Sequence, residues 1–185
     1  MKKILPFFLA MAMTVTALSQ DQESATDEDL SLRSSEIKLN ALYLVIGSID
    51  LTYEYLLNEE SGLGVTAFIP FDDDITDDLN YYISPYYRLY FGKKYAAGFF
   101  LEGFGMLNSY NETENFFVDE LGFIIGEDRK SKTNFALGVG LGGKWMTKSG
   151  FIGELNFGIG RNLIDTNDES FDFVAKIGIS FGYRF

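Results

Sequence analysis

From residue 36 onward the chain alternates apolar and polar positions with a period of two. The last stretch shows it most cleanly. Phe171, Phe173, Ala175, Ile177, Ile179, Phe181, Tyr183 and Phe185 fall on one face; Asp172, Val174, Lys176, Gly178, Ser180, Gly182 and Arg184 fall on the other. Such a pattern is that of a β-strand and does not fit a helix. It recurs over 151–160, 134–145, 49–57 and 81–91, and less cleanly over 36–46, 62–71 and 96–107. The reading is eight strands, with no amphipathic helix among them. Within 96–107, Phe100, Phe104 and Met106 share a face with Glu102, which predicts a bulge. Pro85 has no amide to give to a ladder, so a bulge or a lost hydrogen bond is expected in the fourth strand.

The connections alternate in length. Asn58 to Ser61, Gly92 to Tyr95 and Thr147 to Gly150 are short. Asp72 to Asn80, Asn108 to Lys132 and Asn162 to Ser170 are longer, and Gly47-Ser48 reads as a tight first turn. If both chain ends lie on one side, the second, fourth and sixth connections fall on that side and are short, and three of the four on the other side are long, the first being the exception. This is the arrangement of a membrane barrel with short turns at one end and long loops at the other.

Period two does not say which solvent the apolar face meets. A soluble barrel turns it inward and a membrane barrel outward. Three features favour outward. The polar faces are rich in glycine and sparse in charge, which suits a narrow lumen better than a wetted surface. The charges on those faces can balance: Lys38, Arg88, Lys144, Lys176 and Arg184 against Asp50, Glu54, Glu102, Glu154 and Asp172. Aromatic residues sit at strand ends on the apolar face, as interfacial girdles do: Tyr81, Phe91, Trp145, Phe151, Phe171, Tyr183 and Phe185. A strand of about 10 residues, tilted about 40°, rises roughly 25 Å, the height of an outer-membrane apolar band.

Residues 1–19 read as an address. Lys2 and Lys3 precede an apolar run from Ile4 to Leu18 that is too short to span a bilayer as a helix, and Ala17-Leu18-Ser19 offers small residues for cleavage. Residues 20–35 are acidic and aperiodic and read as a solvated tail; residues 36–185 are the barrel.

On these residues, 36–185 resemble the small OmpA/OmpX-type outer-membrane β-barrels. The run Ile177, Ile179, Phe181, Tyr183 and terminal Phe185 is similar to the C-terminal assembly signal of that group. The resemblance implies an all-β, eight-stranded, antiparallel up-and-down transmembrane barrel in a Gram-negative cell envelope. It also implies insertion by the barrel-assembly machinery, contact with outer-membrane lipid and lipopolysaccharide, and a monomer with a packed interior.

Composition narrows the chemistry. The 185 residues hold no histidine and no cysteine, which removes disulfides, thiolate catalysis and any imidazole base. A net charge of −12 makes nucleic acid a poor partner. Gly138-Val139-Gly140-Leu141-Gly142-Gly143 matches a dinucleotide-binding glycine pattern, but the strand alternation continues through Lys144 and Trp145 and no helix follows. These glycines read as clearing space in a crowded lumen. Asp72, Asp73, Asp74, Asp77 and Asp78 are candidate contacts for cations or for a partner, with a solvated loop as the default reading. The apolar runs Phe116-Phe117-Val118 and Leu121 to Ile125 either extend the strands into a hairpin or form a surface for an extracellular partner. No cofactor, metal or enzymatic activity is expected. A Ser–Lys or carboxylate-pair site stays open, because Glu54, Glu102 and Glu154 share the presumed lumen. The expected role is structural or interaction-based, with acidic loops displayed outside. The alternatives are a narrow pore for ions or small solutes, and a soluble lipocalin-like carrier with the apolar face turned inward.

Overall fold

The computed structural model describes residues 33–72, 79–118, 124–163 and 173–185. They form β1 (Ser35–Asn40), α1 (Ala41–Val45), β2 (Ser48–Asn58), β3 (Ser61–Pro70), β4 (Leu79–Phe91), β5 (Gly98–Val118), β6 (Ile124–Met146), β7 (Phe151–Asn162) and β8 (Phe173–Arg184). Each strand pairs antiparallel with the next, and β1 pairs with β8, so the sheet closes into an eight-stranded up-and-down barrel. The signal-peptide expectation, and all of the tail but its last residues, lie outside the described residues.

Alternation decides the two faces. On β4, Tyr82, Ser84, Tyr86, Arg88 and Tyr90 are buried, while Tyr81, Ile83, Pro85, Tyr87, Leu89 and Phe91 are exposed. Through the middle of the eight paired strands the exposed positions are Ile, Leu, Val, Phe, Tyr, Trp, Ala, Pro or Gly; the exposed polar residues lie toward strand ends, Asn58 beside the 59–60 turn and Lys130, Ser131, Thr133 and Arg161 toward the opposite end. From Tyr81 to Phe91 this belt rises roughly 25 Å at about 3.3 Å per residue and about 40° of tilt.

The short turns 59–60, 92–97 and 147–150 gather at the end that holds Arg33 to Ser35 and Phe185, the terminus end of the described residues. Ser35 N donates to Phe185 O (3.2 Å), Arg184 N to Gly150 O (2.9 Å), and Ala96 N to Glu59 O (2.8 Å). Arg33 reaches the same rim, donating to the Tyr183 hydroxyl at 3.3 Å.

Two expectations are corrected, and two that had alternatives are resolved. First, 36–46 is not one strand. β1 ends at Asn40, whose side chain caps α1 by accepting from Leu42 N (3.2 Å) and donates to Ile177 O (3.1 Å). Ala41 to Ile46 is an unbroken apolar run, which periodicity alone does not assign to strand or helix. Second, β5 pairs with β6 in one register from Gly98 to Thr113, so the bulge expected in 96–107 is absent. Third, of the bulge or lost hydrogen bond expected at Pro85, the second is what the structure shows: the register holds, and the pairing is interrupted between Ile83↔Leu107 and Tyr86↔Phe104. Gly105, opposite Pro85, lacks an amide partner there, and its carbonyl takes the Ser84 hydroxyl at 2.9 Å. Fourth, of the two readings of the apolar runs within 108–132 the hairpin holds: β5 extends to Val118 and β6 starts at Ile124, so the segment is not one long loop.

Candidate functional site

The inward positions build one continuous chain of ions. Arg184, last residue of β8, donates twice to Glu36 of β1 (2.6 and 2.9 Å). Glu36 then takes Lys144 of β6 (2.7 Å), and Lys144 reaches Glu54 of β2 (3.2 Å). Lys38 bridges Glu54 (2.6 Å) and Glu154 of β7 (2.7 Å). Arg88 joins Glu154 (2.8 Å), Glu54 (3.3 Å) and Glu102 of β5 (2.7 Å), and Glu102 ends the chain on Lys176 of β8 (2.7 Å). Five cations meet four carboxylates here, and a fifth carboxylate, Asp50, is buried nearby and accepts from the Tyr82 hydroxyl. Arg88 is 2% exposed and Arg184 is fully covered, so each ion depends on its neighbours rather than on water.

Aromatic rings frame the ions. Tyr86 donates to Glu54 at 3.1 Å; Tyr90 donates to the same carboxylate and accepts from Lys144. The Arg88 guanidinium lies 4.1 Å from the Phe100 ring centre and 4.4 Å from that of Tyr86. Lys176 lies 4.7 Å from Phe104. Such cation–ring contacts add to ion pairs when both are desolvated.

Both mouths are packed. At the terminus end Leu56, Tyr90, Ala96 and Phe100 form a buried cluster with Tyr95 against it. The turn 92–97 folds in so far that Arg184 donates to the carbonyls of Tyr95 (2.9 Å) and Ala96 (3.0 Å), with Ala96 held at a φ of 43°. Toward the opposite end Phe68 stacks on Tyr82 at 4.8 Å, beside Tyr86, Phe104, Met106 and Ala136. Tyr43 of α1 meets Phe68 edge-on at 5.2 Å. Beyond them lies a rim of amides and hydroxyls, including Asn108 to Asn162 (3.1 Å), Asn134 to Tyr110 (3.0 Å) and Asn80 to Asn111 (2.9 Å).

Glycines make room for this filling. A Cβ at Gly142 would stand 2.3 Å from Leu155 O and 2.4 Å from Phe100; one at Gly138 would stand 2.3 Å from Phe104. The stretch that imitates a nucleotide-binding loop is thus a flat wall of β6 against which two phenylalanines lie.

Of the residues read as a lumenal network, Lys38, Asp50, Glu54, Arg88, Glu102, Lys144, Glu154, Lys176 and Arg184 are all buried inside. Asp172 lies outside the described residues. Glu36 was missed, although it precedes Lys38 by one two-residue period and so shares its face. Phe100, Phe104 and Met106, whose shared face with Glu102 predicted a bulge, are instead apolar filling of the lumen. Each of Glu54, Glu102 and Glu154 is held by cations, which leaves the open carboxylate-pair reading without a free base. Asp72 is exposed, its amide donating to Gly47 O at 3.1 Å; Asp73, Asp74, Asp77 and Asp78 lie outside the described residues. Among the described residues no group of three or more acidic side chains is placed to hold a metal ion. Ile177, Ile179, Phe181 and Phe185 point outward, and Tyr183 packs edge-on against Phe151 at 5.4 Å.

A family described as "Protein of unknown function (DUF3575)" matches residues 7–176, and the chain belongs to that family. No curated protein matches. Among solved structures the chain is similar to the N-terminal β-barrel domain of OprF from Pseudomonas aeruginosa, at 19% identity over 83% of this chain and 98% of that one, with a TM-score of 0.48. It is also similar to the outer membrane protein Ail of Yersinia pestis, at 18% identity over 83% and 99%, with a TM-score of 0.38.

Proposed function

We propose that this protein is an outer-membrane β-barrel with a filled lumen and a structural or interaction role, acting through what it displays at the end away from its termini. One observation carries the reading: the wall is inverted relative to a soluble barrel. Its ions are inside and neutralised by one another, while Leu101, Leu141, Phe157 and Ile177 face outward around its waist. In water that belt would cost about 25 cal/mol for each Å² left exposed; in hydrocarbon it costs nothing, and the closed ladder leaves no unpaired strand edge there. The same observation opposes the lipocalin-like carrier, whose interior must be apolar and empty. The packed rings at both mouths oppose a pore, and the acidic sequence between β3 and β4, from Asp72 to Asp78, and between β7 and β8, from Asp165 to Asp172, supports a display of acidic loops at the outer end.

The test is fractionation of the native host, followed by detergent gel mobility with and without boiling. Recovery with the outer membrane, and a mobility shift on boiling, is the expected result. Recovery in the soluble fraction with no shift overturns the reading. Reconstituted in planar bilayers, the barrel is expected to pass negligible current; a steady single-channel conductance would replace the structural role by transport.

A further inference from the structure

A cleft of about 410 Å³ opens on the terminus-side rim, lined by Glu60, Leu89, Tyr90, Phe91, Gly92 and Lys93. It is within the size range of small-molecule sites, about 300–1,000 Å³. We propose that it holds the headgroup of one membrane phospholipid of the phosphoethanolamine class, a proposal that rests on the membrane reading above.

The lining divides by chemistry. Leu89 and Phe91 are outward belt residues, 43% and 58% exposed, and Phe91 lies beside Phe99 at 6.1 Å between ring centres. They continue the surface against which acyl chains would run. Lys93 and Glu60 stand just past the belt, where a membrane interface replaces hydrocarbon. A single cation suits a phosphodiester. A single carboxylate beside it suits a primary ammonium, which can donate hydrogen bonds where a trimethylated ammonium cannot. One side chain of each sign matches a zwitterionic headgroup better than an anionic one.

The frame is rigid. Tyr90 N donates to Glu60 O at 2.8 Å, tying the β2–β3 turn to the end of β4, and Asn58 takes the Glu60 amide at 2.9 Å. Behind Lys93, Gly92 and Ala97 press together so closely that a Cβ on Gly92 would stand 1.9 Å from Ala97 O. The turn that presents Lys93 is therefore fixed by close backbone contact. Together with Arg33 just ahead of β1, the described turns at this end carry Lys93, Lys94 and Lys148 against Glu59 and Glu60, a balance that favours phosphate at the rim.

The full chain, purified in detergent, would be titrated with phosphatidylethanolamine, phosphatidylcholine and phosphatidylglycerol, and retained lipid counted by native mass spectrometry. One retained phosphatidylethanolamine is expected, about fivefold preferred over phosphatidylcholine, the scale of exposed ion pairs. Glu60→Gln should abolish that preference while retaining phosphate binding, and Glu60→Lys should turn it toward phosphatidylglycerol. Lys93→Gln should weaken all three lipids. Both side chains are exposed in turns, and an unchanged boiling-dependent shift confirms that each variant is folded. Equal retention of phosphatidylethanolamine and phosphatidylcholine, or a preference that survives Glu60→Gln, reduces the cleft to unselective lipid contact and overturns the proposal. Flotation with vesicles separates the two failures: a barrel that floats without lipid preference loses only the cleft, whereas one that does not float loses the membrane reading and the cleft together.

Discussion

Tyrosine stands on both faces of β4, and its two settings could hardly differ more. Inside, Tyr82, Tyr86 and Tyr90 are buried, and each hydroxyl is spent on a carboxylate: Asp50 for the first, Glu54 for the other two. Outside, Tyr81 and Tyr87 stand among Ile83, Leu89 and Phe91 with no charge on their face. The lesson concerns the wall as a whole. Inner positions are coupled, because the ions are held across strands, Glu54 for one by residues of β1, β4 and β6. Outer positions are nearly independent, because the medium they face is uniform. Substitutions should therefore be expensive and non-additive inside, and outside should depend mainly on polarity.

The hardest test of that contrast is Glu54→Leu. Glu54 receives Lys38, Arg88, Lys144 and two tyrosine hydroxyls. Its loss strands three buried cations that have only Glu36, Glu102 and Glu154 left to share. A cost of about 3–5 kcal/mol is expected, read as a lower urea midpoint for the band that resists unfolding in unboiled gels. Tolerance of the change would mean that the lumen is wetter than its packing implies. Leu141→Arg asks the matching question outside. Leu141 sits between Leu101 and Phe157 in mid-belt. There a charge should cost about 2–4 kcal/mol in a bilayer and reduce folding into lipid vesicles. A variant that folds equally well and becomes easier to keep without detergent would show that the belt meets water.

Most of this division was legible in the chain. Alternation over 171–185 and 134–145 assigned faces, and glycine with paired charge on one of them suggested which was the lumen. What stayed hidden has physical reasons. Asn40 switches the chain into α1 by a capping bond, and the apolar run after it has no period to betray the change. Phe100, Phe104 and Met106 looked like a disrupted outer face because a filled lumen also needs apolar volume; Gly142 and Gly138, which make room for Phe100 and Phe104, lie on β6, far along the chain. Glu36 is legible by register alone, two residues before Lys38 on the same face.

Glycine offers the finest comparison, since it too occurs on both faces. Gly142→Ala, on the inside, sets a methyl against Leu155 O and Phe100. The ring can turn aside but the carbonyl cannot, and overpacking of this kind costs about 1–3 kcal/mol. A lowered urea midpoint in the unboiled gel checks it.

Gly103→Ala, outside on β5, should go the other way. A Cβ there meets nothing within 4 Å, and Gly103 is not among the residues with positive φ. The added methyl restricts the unfolded chain, so the barrel should gain about 0.5–1 kcal/mol from this single change. Its partners Tyr87 and Val139 leave the site open on both sides. The informative quantity is the sign of the difference between the two glycines, measured by urea midpoint in the same detergent. Opposite signs mean that the inner wall is packed to contact and the outer wall is not. Equal and negative signs would mean that Gly103 is covered by something absent from this chain, which would make that part of the belt an interface with protein rather than with lipid.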